Sequence, residues 1–202
     1  ESTGLRPTVK SYNALIYGLV SEKSVKLFGE CATLDDRVDE ALKFLRDMMR
    51  VKLKPNSVIV ANIIDALGRC QEPRVTEART LVEKLEQGNI VSAGDIKVAT
   101  ALVGACGRAG DITAVLKSFQ SLQQPDTIAV NALLGACCRC GRNELASESF
   151  DRYFKQKCLE PDVISYSIVI GAFLRQYSVI AFTRARSLYK EMKDVGGIRP
   201  DT

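Results

Sequence analysis

Five times along this 202-residue chain the same short pattern returns: a small or polar residue opens it and an apolar pair follows two places later. The copies are Asn13-Ala14-Leu15-Ile16, Ala61-Asn62-Ile63-Ile64, Thr100-Ala101-Leu102-Val103, Asn131-Ala132-Leu133-Leu134 and Ser167-Ile168-Val169-Ile170. Successive spacings of 48, 39, 31 and 36 residues bracket the length of stacked helical repeats. In the last four copies an arginine, Arg69, Arg108, Arg139 or Arg175, stands at one offset from the pattern. A repeat of this length binds each unit to its neighbours, because a single unit cannot bury its own apolar face.

Within a copy the apolar residues follow helical spacing at i, i+3, i+4 and i+7, as in Tyr12, Leu15, Ile16 and Leu19, or Val130, Leu133, Leu134 and Cys137. A break follows, marked by Gly110 and Gly141, and then a second periodic segment such as Ala41–Met48 or Ala185–Met192. Each unit therefore reads as a helical hairpin. The units also end alike, at Lys54-Pro55-Asn56, Gln124-Pro125-Asp126, Glu160-Pro161-Asp162 and Arg199-Pro200-Asp201, with Arg6-Pro7-Thr8 before the first. Proline stops one helix and Asp, Asn or Thr caps the next. The expected fold is all-α: a right-handed solenoid of about five helix-turn-helix repeats in one array over 1–202, divided at 9–56, 57–95, 96–126, 127–162 and 163–201. The first copy carries an insert over 20–36. Beginning and ending at repeat joints, the sequence reads as part of a longer protein.

With no histidine in the sequence, mechanisms that use imidazole as base, shuttle or ligand are excluded. The seven cysteines, Cys31, Cys70, Cys106, Cys137, Cys138, Cys140 and Cys158, are odd in number and unevenly spaced, which fits a reducing compartment better than a disulfide framework. Cys106 and Cys137 occupy the apolar column held elsewhere by Leu19, Leu67 and Phe173, so they read as core. No paired-cysteine metal motif, phosphate loop or acidic cluster stands outside the repeats. No metal, cofactor, small-molecule substrate or catalytic residue is expected, and the chain reads as a non-enzyme. Apolar runs such as Ile168-Val169-Ile170 fall far short of the roughly 20 residues needed to cross a bilayer, so no membrane partner is expected. A net charge of +4 hints at an anionic partner.

The Tyr-Asn-Ala-Leu-Ile opening at Tyr12–Ile16, a Gly-Arg before the second helix at Gly68-Arg69 and Gly107-Arg108, and the Pro-Asp endings together resemble the pentatricopeptide repeat family over nearly the whole chain. The related tetratricopeptide pattern needs a Trp near the start of the first helix, and the sequence has none. The resemblance implies a single-stranded RNA partner read at one base per repeat, in a chloroplast or mitochondrion. It also implies which residues choose the base: Asn13 with Asn56, Ala61 with Asp95, Thr100 with Asp126, Asn131 with Asp162, and Ser167 with Asp201. By the family's rule this array favours 5′-pyrimidine, any, G, U, G-3′, the second repeat being blank because the Ala61 methyl offers no hydrogen bond. Base-stacking positions fall on Lys10, Val58, Lys97, Ile128 and Ile164, where the two lysines depart from the usual apolar residue. The arginine column suits a phosphate backbone. Each feature also has a purely structural reading: arginines near helix C-termini offset the dipole, and Asn, Ser and Asp cap helices. A helical scaffold that binds proteins in an organellar ribonucleoprotein or polymerase complex is the competing function. Partner proteins or self-association would add affinity to so short an array.

Overall fold

The computed structural model describes residues 7–21, 33–156 and 159–194, and these contain ten α-helices and no strand. In chain order they are α1 (Val9–Val20), α2 (Leu34–Arg50), α3 (Ser57–Arg69), α4 (Val75–Gln87), α5 (Ile96–Arg108), α6 (Ile112–Gln120), α7 (Thr127–Arg139), α8 (Asn143–Phe150, continued by a π-helical turn Asp151–Gln156), α9 (Val163–Leu174) and α10 (Val179–Asp194). Asp201, Arg6, Cys31, Cys158 and most of the 20–36 insert lie outside the described residues.

The expected caps start the helices. Thr8, Asn56, Asp126 and Asp162 each accept the backbone N–H three residues on, from Ser11, Ile59, Ala129 and Ser165. The hairpin turns are as tight as the chain allows. Asp111 donates its N–H back to Cys106 O at 3.1 Å, closing the end of α5, while its carboxylate accepts from Ala114 N at 2.9 Å and opens α6. Between them Gly110 adopts φ +76°, and Gly141 takes φ +71° at the matching turn between α7 and α8. The fifth hairpin has Tyr177 there instead, at φ +49°, a conformation that an aromatic side chain rarely adopts.

The odd-numbered helices stack on one another along the chain, and each even-numbered helix packs on its own partner and on the next odd-numbered one. The core forms two clusters, Ile16, Ile63, Ile64 and Leu67 in the first and Val103, Leu134 and Val169 in the second, with α5 contributing to both; all seven are fully buried, each side chain contributing roughly 1.5–3 kcal/mol. Close stacking depends on two glycines. A Cβ built on Gly68 would stand 2.6 Å from Ala105, and one on Gly107 would stand 2.5 Å from the Ala136 Cβ. The α3–α5 and α5–α7 crossings are therefore backbone against alanine. Cys106 and Cys137 are fully buried in the core, where burial pushes the Cys137 thiol up to about 12. Outside the stack, Asp39 of α2 pairs with Arg74 at 2.7 Å, and Asp151 pairs with Arg184 of α10 at 3.2 Å, tying neighbouring hairpins.

Candidate functional site

Stacking the odd-numbered helices lines up residues that are about 30 to 50 positions apart in sequence. A groove of about 620 Å³ is lined by Val58 and Ala61 of α3, Lys97 and Thr100 of α5, and Asp126, Ile128 and Arg139 at α7, with Asp65 and Arg108 also on its wall. It gathers selector, stacking and arginine positions from three repeats into one surface. Ile128 is 69% exposed and Ile164 58%, although the core has taken most other large aliphatic side chains of these helices. A second groove of about 580 Å³ holds Arg139, Ser167 and Arg175 with Cys138, between α7 and α9. Lys10 is exposed at the start of α1.

The selector pairs are not equally assembled. In the fourth repeat Asn131 Nδ2 donates to Asp162 Oδ1 at 3.0 Å, so the two residues meet across the joint. Burial pushes the Asp162 carboxyl up, but bonds from the Ser165 backbone, Asn131 and the Ser165 hydroxyl outweigh it and hold the group below its ordinary range. Asp162 is thus ionised at neutral pH. Asn13 and Asn56 make no such contact. Asn56 is occupied as the cap of α3, and the Asn13 Oδ1 is buried without a hydrogen-bond partner. Asp95 caps α5 through Lys97 N at 2.9 Å, and Asp126 caps α7 through Ala129 N at 2.8 Å. The capping role read from the sequence is real at all four described last-residue positions, and each carboxylate or amide does it with one oxygen.

The arginine column splits in two. Arg69 Nε bonds Asp65 Oδ2 at 2.9 Å, and its Nη2 reaches back to Val20 O at 2.7 Å on α1. Arg108 bonds Gly68 O at 3.0 Å and, through Nη2, Asp65 O at 3.2 Å and Asp65 Oδ1 at 2.7 Å. These two arginines cap the C-terminal carbonyls of the preceding repeat's helix and share one carboxylate. Arg37 does the same in the first hairpin, donating to Leu19 O at 3.1 Å. By contrast, among the described residues the side chains of Arg139 and Arg175 have no hydrogen-bond or ion-pair partner. Burial, then the charge of nearby Arg108, draws the Arg139 guanidinium below its ordinary value. The sequence reading missed Asp65, although its i,i+4 spacing to Arg69 is a local signal; its contact with Arg108, 43 residues on, leaves none.

Fold and groove define a class, an α-solenoid of helical hairpins whose stacked first helices present a ligand-sized, mixed apolar and charged surface. Comparisons with known proteins narrow it. Residues 125–175 match the PPR repeat family. One pentatricopeptide repeat-containing protein of Arabidopsis thaliana is 29% identical over 119 residues, 59% of this chain and 13% of the relative; a second, described as putative, is 26% identical over 178 residues, 85% of this chain and 36% of the relative. The crystal structure of the pentatricopeptide repeat protein PPR10 in complex with an 18-nt psaJ RNA element superposes with a TM-score of 0.70 at 19% identity, over 98% of this chain and 30% of that one. The structure of PPR10 from maize gives 0.62 at 24%, over 97% and 26%. The chain is thus similar to pentatricopeptide repeat proteins over most of its length, with the family match itself at residues 125–175, and it spans well under half the length of these relatives.

Proposed function

We propose that this array binds single-stranded RNA along its stacked first helices, one base to a repeat, and that binding is weighted toward the third, fourth and fifth repeats. The observation that carries the reading is the groove that unites Thr100, Asp126, Lys97, Ile128 and Arg139 while leaving Ile128 in solvent. An exposed isoleucine with a base-sized slot beside it and a cation at the rim suits a splayed nucleotide, and stacking of this kind adds roughly 1–3 kcal/mol per base on aromatic platforms, less on an aliphatic one. Arg139 and Arg175 supply the phosphate contacts. Arg69 and Arg108 contribute less, since they share the Asp65 carboxylate and donate further N–H groups to backbone carbonyls. With Ala61 beside Asp65, the second repeat reads no base. The PPR10 structures of the same fold include an RNA complex, which favours RNA over other polyanions. One Arabidopsis relative, 25% identical over 82% of this chain, is named as mitochondrial, which supports an organellar setting. The role is recognition in RNA processing, splicing, stability or translation, with no chemistry performed by these residues.

Fluorescence anisotropy with an RNA containing 5′-CAGUG-3′, a scrambled RNA and the matching DNA tests the reading. Preference for the designed RNA is expected, and equal binding to all three would refute base selection.

A scaffold reading rests on a separate observation. The start of α10 exposes Val179 at 83%, Ile180 at 84% and Phe182 beside Tyr177, an apolar patch away from the groove. Protein binding there is compatible with RNA binding on the first helices, and failure of every RNA to bind at micromolar protein makes it the leading function.

A further inference from the structure

The fourth repeat differs from the others in having a third member at its selector pair. Ser165, on the first turn of α9, is fully buried, and its Oγ lies 2.7 Å from Asn131 Oδ1 and 2.9 Å from Asp162 Oδ1. The hydroxyl has one proton to give. Asp162 Oδ1 already accepts from Ser165 N at 2.8 Å and Asn131 Nδ2 at 3.0 Å, whereas Asn131 Oδ1 has no other donor. The proton therefore goes to Asn131, and Ser165 Oγ in turn accepts from Asp162 N at 3.1 Å. Asn131 Oδ1, Ser165 Oγ and Asp162 Oδ1 are then all satisfied within the triangle.

The chain contains its own control. Asn13 holds the same register position in the first repeat as Asn131 holds in the fourth. The residue that corresponds to Ser165 is Ile59, which has no hydroxyl, and there the Asn13 Oδ1 is buried and unpaired. At the other interior joints the corresponding residues are Val98 and Ala129, also apolar. A polar residue facing this joint is thus a property of one repeat and not a requirement of the fold.

Resting on the RNA reading above, we propose that Ser165 is a positioning residue for base selection in the fourth repeat. By holding Asn131 Oδ1 inward it leaves the second Nδ2–H as the group that the amide can turn to a base, next to the free Asp162 Oδ2. A donor beside an acceptor complements uracil, through O4 and N3–H, and an amide free to rotate presents its oxygen as well and accepts from cytosine N4. Selection at this repeat is therefore set by three residues, one of them on the next repeat's helix, and the isolated Asn13 with Asn56 is the looser reader.

Two variants of equal shape separate the hydroxyl from packing: Ser165→Thr keeps it and Ser165→Val removes it, with Ser165→Ala as a smaller alternative. In anisotropy titrations with U or C at the fourth base, Ser165→Val or Ser165→Ala is expected to lower the U-over-C preference by about five-fold, the worth of one hydrogen bond. Ser165→Thr is expected to restore it. The G-over-A preference at the third base, read by Thr100 and Asp126, should not move, which distinguishes a local effect from general loss of structure. Without RNA, the Asn131 side-chain amide should give a resolved, slowly exchanging NH2 pair in wild type and Ser165→Thr, and a faster-exchanging pair in the other two. A U-over-C ratio unchanged in Ser165→Ala overturns the proposal. Loss of amide protection in a protein that binds no RNA at all rejects the RNA reading instead, and base selection with it, while leaving the Ser165–Asn131 contact established.

Discussion

Replacing Asp65 with Asn asks whether one carboxylate masks half of the arginine column. In the structure Asp65 takes Arg69 Nε at 2.9 Å and Arg108 Nη2 at 2.7 Å, and its side chain is 44% exposed. Half-exposed pairs of this kind are worth roughly 0.2–1 kcal/mol each, so Asp65→Asn costs about 0.4–2 kcal/mol in all, or a fall of about 1–8 °C in Tm. Arg108 stays on the groove wall, held by Gly68 O and Asp65 O, and Arg69 stays on Val20 O. The one unit of positive charge unmasked toward single-stranded RNA steepens the slope of log K against log salt by up to about 0.7, the increment per phosphate on a single strand. Between 50 and 200 mM salt that amounts to about 2.6-fold more affinity lost than in wild type. The assay is anisotropy at four or more salt concentrations on a variant whose fold is checked by circular dichroism. A folded, RNA-binding variant with the wild-type slope would show that the backbone carbonyls, and not Asp65, withhold these arginines.

Other substitutions test separate parts of the structure. Ile128→Ser removes an exposed side chain, so urea unfolding should shift by no more than about 0.5 kcal/mol while RNA affinity drops; a large stability loss would return Ile128 to the core. Gly107→Ala forces a Cβ to within 2.5 Å of the Ala136 Cβ, and about 1–3 kcal/mol of destabilisation is expected from denaturant midpoints, whereas a neutral result would mean that α5 and α7 separate freely. Arg37→Ala strips the Leu19 carbonyl of its buried donor and should cost about 1–3 kcal/mol in the same measurement. For pH the sign follows from Asp162: its folded pKa lies below the ordinary 3.8, so its bonds contribute stability above that pH that is lost as pH falls through the folded value. Asp162→Asn should remove that part of the acid limb, leaving a flatter dependence of Tm between about pH 4 and pH 2.

The hairpins and their order were legible in the sequence because local rules fix them. Helical periodicity places Ile63, Ile64 and Leu67 on one face, Pro125-Asp126 and Pro161-Asp162 stop and restart the chain, and Gly110 and Gly141 take the left-handed turns. Even Cys106 and Cys137 could be assigned to the core, since they fall in the apolar column. The places of Asn131, Asp126 and Asp162 in their repeats were legible for the same reason, but their hydrogen bonds were not. Asp65 meets Arg108 across 43 residues and Ser165 meets Asn131 across 34, and both contacts depend on how one helix is rotated and shifted against the next. Between α3 and α5 and between α5 and α7 the helices approach through Gly68 against Ala105 and Gly107 against Ala136, and the recurrence of these glycines along the chain does not by itself say which distant side chains will meet. The sequence alone therefore determined a helical repeat array with a column of arginines, and the Asp65–Arg69 pair is local to α3; stacking decided that Arg69 and Arg108 also hold the end of the preceding helix while, among the described residues, the Arg139 and Arg175 side chains make no hydrogen bond or ion pair, because only packed helices bring the end of a neighbouring helix within hydrogen-bonding reach.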